Sequence, residues 1–186
     1  MEINSQLTID FFGDTTLEES LASEFDNYIS CTIPSYSNNQ YIARSLVSSF
    51  ISSLDPCIDQ ISNIRTAVGE AFVNCAIHAY HKDGAGIVRI TCGLFRNDKS
   101  VVIIVSDNGV GIPDIERARE PLFTTISGHR GVGFTYMEMF MKSVFVQSTP
   151  GKGTSVIMCT DVQYDYESPD LEMFENMLSA LLAKKV

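Results

Sequence analysis

Three polar side chains recur at intervals of four within the apolar stretch GEAFVNCAIHAY, which covers residues 69–80. Glu70, Asn74 and His78 would share one face of a helix, because four residues return the chain nearly to the same side. A carboxylate can accept a proton, an amide oxygen can ligate a hard cation, and an imidazole can do proton transfer or make a structural hydrogen bond. The row is therefore either the solvated stripe of a surface helix or one wall of a site. For His78 alone, a structural role at the helix end is the more common one.

A fourth candidate group stands near the end of an apolar run, VIIVSDNGVGI, at residues 102–112. Asp107 is followed by Gly109 and Gly111 at alternate positions. Glycines let the backbone come close to a flat ligand and adopt positive φ, and a carboxylate beside them can accept a hydrogen bond from an amino group such as that of adenine. The same letters also suit an ordinary turn between a strand and a loop. Taken alone, this segment leaves both interpretations open.

A glycine-rich segment, GHRGVGFTYMEMFM, precedes and enters an apolar helix at residues 128–141. The first N–H groups of a helix lack intrahelical partners and can hold a phosphate. Gly131 and Gly133 let the backbone approach such a group, and His129 and Arg130 add positive charge beside it. The segment matches neither the P-loop pattern nor a Rossmann unit. By itself it is weak evidence for a nucleotide site.

Helices and strands in separate blocks are predicted to position these groups. The helical patterns cover residues 40–54, 59–80 and 131–142, and the strand patterns cover residues 27–34, 87–95, 101–106, 144–149 and 154–160. The strand at 101–106 is apolar enough to be covered on both faces, whereas the segment from there to residue 129 is polar and irregular. This order predicts an α+β fold, a two-layer α/β sandwich with a mainly antiparallel sheet.

The chain divides into a central domain with an addition at each end. Residues 28–160 carry all the segments described above. Residues 1–27 form an N-terminal extension, for which an alternation of apolar residues predicts a strand, and capping-box spacing followed by apolar residues at helical intervals predicts a short helix. The apolar residues of that helix are Leu17, Leu21 and Phe25. Residues 161–186 form an acidic C-terminal tail with an amphipathic helix, whose apolar stripe is better explained by docking on its own domain than by binding a partner.

Composition restricts the classes of partner and compartment. The chain has 186 residues, of which 45% are hydrophobic, and this suits one domain with short additions. The formal net charge of −10 disfavours direct binding of nucleic acid or of an anionic membrane, and favours a neutral or basic protein partner. Five scattered cysteines without a C-x-x-C pair indicate reduced thiols and no zinc site. Since there is neither a signal-peptide pattern nor a long apolar run, we expect a cytoplasmic protein.

In order and spacing, these segments resemble the motifs of the GHKL (histidine kinase-like) ATPase superfamily. The resembling residues are Glu70-x-x-x-Asn74 for the N box, Asp107-x-Gly109-x-Gly111 for the first glycine box, Gly131-x-Gly133 for the second, and Gly153-Thr154 on a later strand. The segments EAFVNCAIHAY, REPLFTT (119–125) and GVGFTYMEMFM (131–141) are similar to those of the anti-sigma-factor serine kinases of spore-forming bacteria, in the branch of the sporulation anti-sigma F factors. The resemblance covers residues 28–160.

The resemblance implies a function and a role for each site residue. Such proteins bind a sigma factor as homodimers and use Mg-ATP to phosphorylate a serine of an anti-anti-sigma protein. The resemblance makes Glu70 the catalytic base, Asn74 the Mg²⁺ ligand and Asp107 the reader of adenine. It implies further cofactor contacts from Gly109, Gly111, Thr124, Thr125, Arg130, Gly131, Gly133 and Thr154. Arg44, on the first long helix, stands where the family uses an arginine to contact partners, although a solvated helix arginine explains it equally well.

The lid is where the sequence departs from the family. It reads TTISGHRGVGF, so Arg130 directly precedes Gly131, and the register of His129 and Arg130 against the family's lid arginine stays open. Two alternatives to a serine kinase remain: a nucleotide-dependent protein-binding module without transfer, and a histidine kinase-type catalytic domain acting in trans. Glu70 speaks against the first, since binding alone needs no general base. The second is disfavoured because all three histidines lie inside the nucleotide-binding domain.

Overall fold

The computed structural model describes residues 25–80, 83–96, 99–125 and 130–162. At its centre is a five-stranded sheet of β1 (Asn27–Pro34), β2 (Ile87–Phe95), β3 (Ser100–Asp107), β4 (Ser143–Thr149) and β5 (Gly153–Asp161). The strand order is β1-β2-β3-β5-β4, and each neighbouring pair is antiparallel. The strands begin and end within one residue of their predicted bounds, and the predicted antiparallel sheet is confirmed.

Alternation of apolar residues places one face of this sheet in the core. The buried residues on that face include Val88, Ile90, Cys92 and Leu94 of β2, and Val101, Ile103 and Val105 of β3. Because successive side chains of a strand point to opposite faces, these sets meet on one side of the two paired strands. The branched residues that dominate β3 suit its place at the centre of the sheet.

Helices cover the apolar face. Those that pack on it are α1 (Gln40–Ile51), α2 (Ile58–Asn74) and α4 (Gly133–Phe140). A short helix between β3 and α4, α3 (Ile115–Arg119), buries none of its residues. The stripe that α2 buries consists of Ile64, Ala67, Val68, Ala71 and Phe72, which is the spacing of one helix face. Both α1 and α4 pack against α2, and their buried residues join the same core as the sheet. The helices and the sheet form the two layers of an α+β sandwich, as the sequence predicts.

The second predicted helix ends differently from expectation. The sequence predicts one helix over residues 59–80, whereas α2 ends at Asn74 and continues as a π-helical turn, Cys75–Ala79. Such turns are rare in proteins and are frequent at functional sites. At its end the N–H of Val110 donates to the carbonyl of Ala79 at 3.0 Å. The wide turn thereby joins the end of α2 to the loop that follows β3.

The prediction of an irregular segment between β3 and α4 is wrong where α3 forms. Asp114 caps this helix, since its Oδ1 accepts a hydrogen bond from the N–H of Arg117 at 3.0 Å. A helix of five residues is too short to show a period in the sequence. The other helices lie inside their predicted ranges: α4 is shorter than 131–142, and a 3-10 turn, Ser52–Leu54, completes the predicted helix 40–54.

Several predictions fall outside the described residues. These are the strand and helix before residue 25, the tail helix after residue 162, and the position of His129 in the lid. The division into residues 1–27, 28–160 and 161–186 stays a prediction. Among the helices that the structure describes, none is both long and apolar enough to cross a membrane.

Candidate active site

A cavity of about 550 Å³ opens beside the end of α2. Its walls come from α2 and the π-turn, the loop after β3, α3, the segment that leads into α4, and β5. The predicted site residues that line it are Glu70, Asn74, Asp107, Gly111, Thr124, Thr125, Arg130, Gly131, Gly133 and Thr154. Apolar walls are supplied by Ile77, Ile112, Phe134 and Val156. The volume and the mixed lining are those of a small-molecule site. Two of the predicted residues, Gly109 and Arg44, do not line the cavity.

Gly133, the first residue of α4, lies against the polar row of α2. A Cβ atom at this position would stand 3.1 Å from both Oδ1 and Nδ2 of Asn74, and 3.3 Å from Oε2 of Glu70. These separations are shorter than ordinary van der Waals contact, so the absence of a side chain lets the start of α4 approach the row closely. Glu70 and Asn74 are therefore part of a cavity wall and not of a solvated stripe.

Glu70 is held in a partly desolvated position beside a cation. Burial raises the pKa of its carboxylate, and the smaller opposing effect of the Arg44 charge lowers it. The Arg44 guanidinium crosses Gly69, where a Cβ atom would lie 2.0 Å from its Nε. This Nε is buried and has no hydrogen-bond partner among the described residues. Arg44 thus sits behind Glu70, and its predicted contact with a partner protein stays a prediction.

His78 connects the end of the π-turn to the threonine pair before the lid. Its Nδ1 lies 3.1 Å from Oγ1 of Thr125, within hydrogen-bonding distance. Both residues line the cavity. The contact favours the structural interpretation of His78, because its ring nitrogen is engaged in holding two segments together.

Asp107 is 3% exposed, and burial raises the pKa of its carboxylate. Three hydrogen bonds oppose this effect, from the backbone of Gly109, the thiol of Cys75 and the backbone of Thr154. The bond from the Gly109 N–H to Oδ1 measures 2.8 Å. Burial, followed by the charge of Asp107, raises the pKa of the Cys75 thiol well above its usual range, so the thiol is protonated and donates. Since a carboxylate offers about four acceptor positions, these three donors leave acceptor capacity for a ligand.

Gly109 and Gly111 shape the loop that brings Asp107 to the cavity. A Cβ at Gly109 would lie 2.2 Å from the carbonyl oxygen of Ala79, so only glycine lets the loop pass the end of the π-turn. Gly111 has a φ of +73° and packs against the backbone of Thr149. Gly109 therefore serves the site through its backbone N–H on Asp107 and through close packing.

The start of α4 supplies unpaired donors at the other end of the cavity. Val132, at the N-cap position, makes no capping hydrogen bond with its side chain, so among the described residues the first N–H groups of the helix lack the usual N-cap acceptor. Gly131, with a φ of +63°, accepts the N–H of Leu122 at 2.9 Å, and this bond fixes the loop ahead of the helix. Arg130 is exposed beside it. Free amides, the helix dipole and an arginine together suit an anion such as a phosphate group.

Two arginines of α3 extend the site beyond the residues that the sequence identifies. Arg117 lines the cavity, and its guanidinium carbon lies 4.8 Å from the centre of the Phe123 ring. Arg119 binds Glu138 of α4, with Nε 2.8 Å from Oε1. Through these contacts α3 holds the base of the lid next to α4. The only sequence signal is the alternation of charges in ERARE (116–120), which does not reveal its partners.

The donors beside Gly133 are compatible with one kind of metal ion. Within the described residues, no cluster of three or more His, Cys, Asp or Glu side chains could hold a metal by itself. The side-chain oxygen of Asn74 next to Glu70 is a hard donor without charge. Such a set fits Mg²⁺, which takes few protein oxygens and completes its shell with phosphates and water.

Known proteins with similar sequences identify the family of this chain. A family model described as histidine kinase-like ATPase domain matches residues 37–160. The chain belongs to this family. Within it, the chain is 46% identical over 137 residues to the anti-sigma F factor of Caldanaerobacter subterraneus subsp. tengcongensis, a match that covers 73% of this chain and 94% of the relative. Another relative, the anti-sigma F factor of Oceanobacillus iheyensis, is 46% identical over 134 residues, with 71% and 90% covered.

The fold of this histidine kinase-like ATPase domain also occurs in a solved structure. The crystal structure of the RsbU and RsbW domains of a Mycobacterium tuberculosis protein superposes with a TM-score of 0.52 at 15% sequence identity. The superposition covers 73% of this chain and 32% of that one. At this identity the likeness shows the fold alone. The family membership makes ATP the ligand expected in the cavity.

Proposed function

We propose that this protein is an anti-sigma factor and a protein serine kinase that uses Mg-ATP to phosphorylate an anti-anti-sigma protein. The observation that carries the proposal is the position of Glu70, which stands beside Asn74 and Gly133 in the same cavity as Asp107. A site that only binds a nucleotide has no need of a partly buried carboxylate next to the phosphate end. The names of the relatives support the anti-sigma role.

The geometry suggests how ATP would be oriented. The adenine amino group would donate to the free acceptor position of Asp107, with the ring between Ile112 and Val156. The phosphates would extend toward Arg130 and the uncapped start of α4. Asn74 would hold Mg²⁺ there, and the ion supplies neutralisation of phosphate charge when it is bound.

Glu70 would act on the attacking serine. Phosphoryl transfer depends mainly on positioning and on charge, so the protein must hold the seryl hydroxyl in line with the terminal phosphate. The seryl oxygen then bonds to phosphorus, the bond to ADP breaks, and the hydroxyl proton passes to Glu70. Burial raises the pKa of this carboxylate, which makes it a better proton acceptor than a fully solvated glutamate.

The partners and compartment are part of the same proposal. The relatives are named anti-sigma F factors, and we infer a sigma factor and an anti-anti-sigma protein as partners, with the chain acting as a homodimer in the cytoplasm of a spore-forming bacterium. A net charge of −10 disfavours direct contact with DNA. Arg44 on α1 would contribute to the surface that contacts these proteins.

A phosphate-transfer assay tests the kinase. Purified protein is incubated with labelled Mg-ATP and candidate anti-anti-sigma proteins, beside Glu70→Gln and the matched control Glu116→Gln, whose side chain is exposed on α3. We expect label on a partner serine, reduced about 10²- to 10⁴-fold by Glu70→Gln and unchanged in the control. Tight binding of ATP without transfer to any partner would instead identify a nucleotide-dependent binding module.

A further inference from the structure

The face of the sheet opposite the helices, here called the open face, has an apolar middle. The strand register places on it Arg89, Thr91 and Gly93 of β2, Val102, Ile104 and Ser106 of β3, Ser155, Ile157 and Cys159 of β5, and Phe145 of β4. The core that joins the described helices to the sheet contains none of these residues. The described helices therefore leave this face uncovered.

The middle of the open face is nevertheless buried. Ile104 is 4% exposed and Ser155 is 0% exposed. Neighbouring strands, about 4.8 Å away, screen the flanks of a side chain but not the end that points away from the sheet. The hydroxyl of Ser155 also has no hydrogen-bond partner among the described residues, which is unusual for a buried polar group. Both observations indicate that a segment outside the described ranges lies over β3 and β5.

The first described residue indicates which segment this is. The ring of Phe25 packs over β2, because a Cβ atom at Gly93 would lie 2.4 Å from it. The same ring meets that of Phe95 edge-on, with 5.1 Å between the centroids. Next to it, the carboxylate of Asp26 accepts the N–H of Arg96 at 2.7 Å. The chain therefore enters β1 from the open face.

The spacing of the preceding apolar residues matches the width of this face. Leu17, Leu21 and Phe25 recur at intervals of four, so a helix would place all three on one side. Eight residues of helix rise about 12 Å, and two strand spacings measure about 10 Å. With Phe25 on β2, a helix that crosses the strands would place Leu21 over β3 and Leu17 over β5.

We propose that residues 15–24 form an amphipathic helix that packs across the open face, with Leu21 over β3 and Leu17 over β5. This segment lies before residue 37, where the match to the ATPase family model begins, so the cover is an addition to that domain. It closes an apolar sheet surface of the kind that otherwise invites self-association. The N-terminal extension would then pack on the sheet of its own chain.

The C-terminal tail fits the open face less well. The last described residue, Val162, has its side chain in the core on the helix side of the sheet, whereas Phe25, next to the N-terminal extension, packs on the open face. The apolar stripe of the tail begins at Leu171, nine residues further along the chain. A second copy of the chain is disfavoured because Phe25 already occupies the part of the face over β2.

The native thiol of Cys159 lies half-buried on the open face. Its rate of alkylation therefore measures whether the open face is covered. The full-length variant Leu17→Asp/Leu21→Asp is compared with Thr16→Asp/Ser23→Asp, which adds the same charge on the opposite side of the proposed helix. We expect the alkylation rate of Cys159 to rise about tenfold or more in the first variant, because access limits the reaction of a covered thiol, and to stay unchanged in the control. An unchanged rate in both variants would overturn the proposal.

Cross-linking gives a second measurement that does not depend on destabilising the chain. In the full-length variant Leu21→Cys/Val102→Cys/Cys159→Ser, which lacks the native thiol opposite Val102, we expect oxidation to form a link within one chain, whereas Leu21→Cys/Lys152→Cys/Cys159→Ser should form none. Links between chains, or a protection of Cys159 that depends on protein concentration, would show that a second copy covers the face and would overturn the proposal. If the protection of Cys159 were lost only in the variant Phe174→Asp/Leu178→Asp, the tail would be the segment that covers the open face, and the proposal would also be overturned.

Discussion

At the scale of one residue, the partly buried carboxylate of Glu70 suits proton transfer but lowers the stability of the folded protein at neutral pH. Because burial raises its pKa in the folded protein, the folded state holds this proton more tightly than the unfolded chain does. The stabilising contribution of the group is therefore present at acidic pH and is lost as the pH rises through the folded pKa. At neutral pH the ionised side chain reduces the free energy of unfolding, although Arg44 offsets part of the effect.

The variant Glu70→Gln should separate the two properties. We expect its free energy of unfolding to equal or exceed that of the unchanged protein at pH 7.5, with the difference shrinking as the pH approaches 4, because both side chains are then neutral. Urea unfolding at the two pH values measures this. A variant that is clearly less stable at pH 7.5 would show that attraction to Arg44 outweighs burial.

Asp107 differs from Glu70 in its contacts: burial raises its pKa as well, but several donors engage its carboxylate. Donors from Gly109, Cys75 and Thr154 converge on the two carboxylate oxygens of Asp107. An asparagine side chain has only one acceptor oxygen, so the variant Asp107→Asn would leave at least one buried donor without an acceptor. We expect a loss of about 1–3 kcal/mol in the free energy of unfolding, the usual effect of such a group. ATP affinity, measured by calorimetry, should fall at least tenfold, and unchanged affinity would remove Asp107 from the adenine site.

At the scale of elements, the approach of α4 to α2 depends on Gly133. Ala favours a helix over Gly by up to about 1 kcal/mol, so Gly133→Ala should leave the stability equal or raised. The added Cβ would lie 3.1 Å from the Asn74 amide and force a shift of Asn74 and Glu70, so we expect the proposed kinase activity to fall about 10²-fold. Gly151→Ala is the control. A Cβ atom there would have no neighbour within 4 Å, but the φ of +78° at this position is strained for alanine. It should lose stability and keep activity.

Periodic elements were predictable from the sequence, and aperiodic ones were not. The strands and the long helices bury regular apolar patterns, so their ranges follow from the letters alone. The π-turn at Cys75–Ala79 differs from an α-helix only in backbone geometry, and α3 is too short to have a period. The roles of Gly109 and Arg117 were likewise hidden, because each depends on a contact with a distant segment, the π-turn for one and the Phe123 ring for the other.

At the scale of the whole molecule, the net negative charge comes almost entirely from the two ends of the chain. Residues 1–24 contain six acidic and no basic side chains, and residues 163–186 contain five acidic and two basic ones. Residues 25–162 therefore keep 12 acidic and 11 basic side chains, which is close to neutrality. The candidate site thus belongs to a nearly neutral domain, and the residues before and after that domain carry almost all of the net charge of the chain.

This distribution predicts that the ends accelerate the association with a basic partner protein. Attraction between opposite charges raises the association rate and is screened by salt. We therefore expect the association rate constant for a basic sigma factor, followed by stopped-flow fluorescence, to fall at least about tenfold between 50 and 500 mM salt. Replacing the five acidic residues of 163–186 with their amides should lower the association rate at 50 mM salt, and the dissociation rate should change little. A rate that rises on neutralisation would mean that the tail repels the partner, and that the nearly neutral ATPase domain alone provides the attraction.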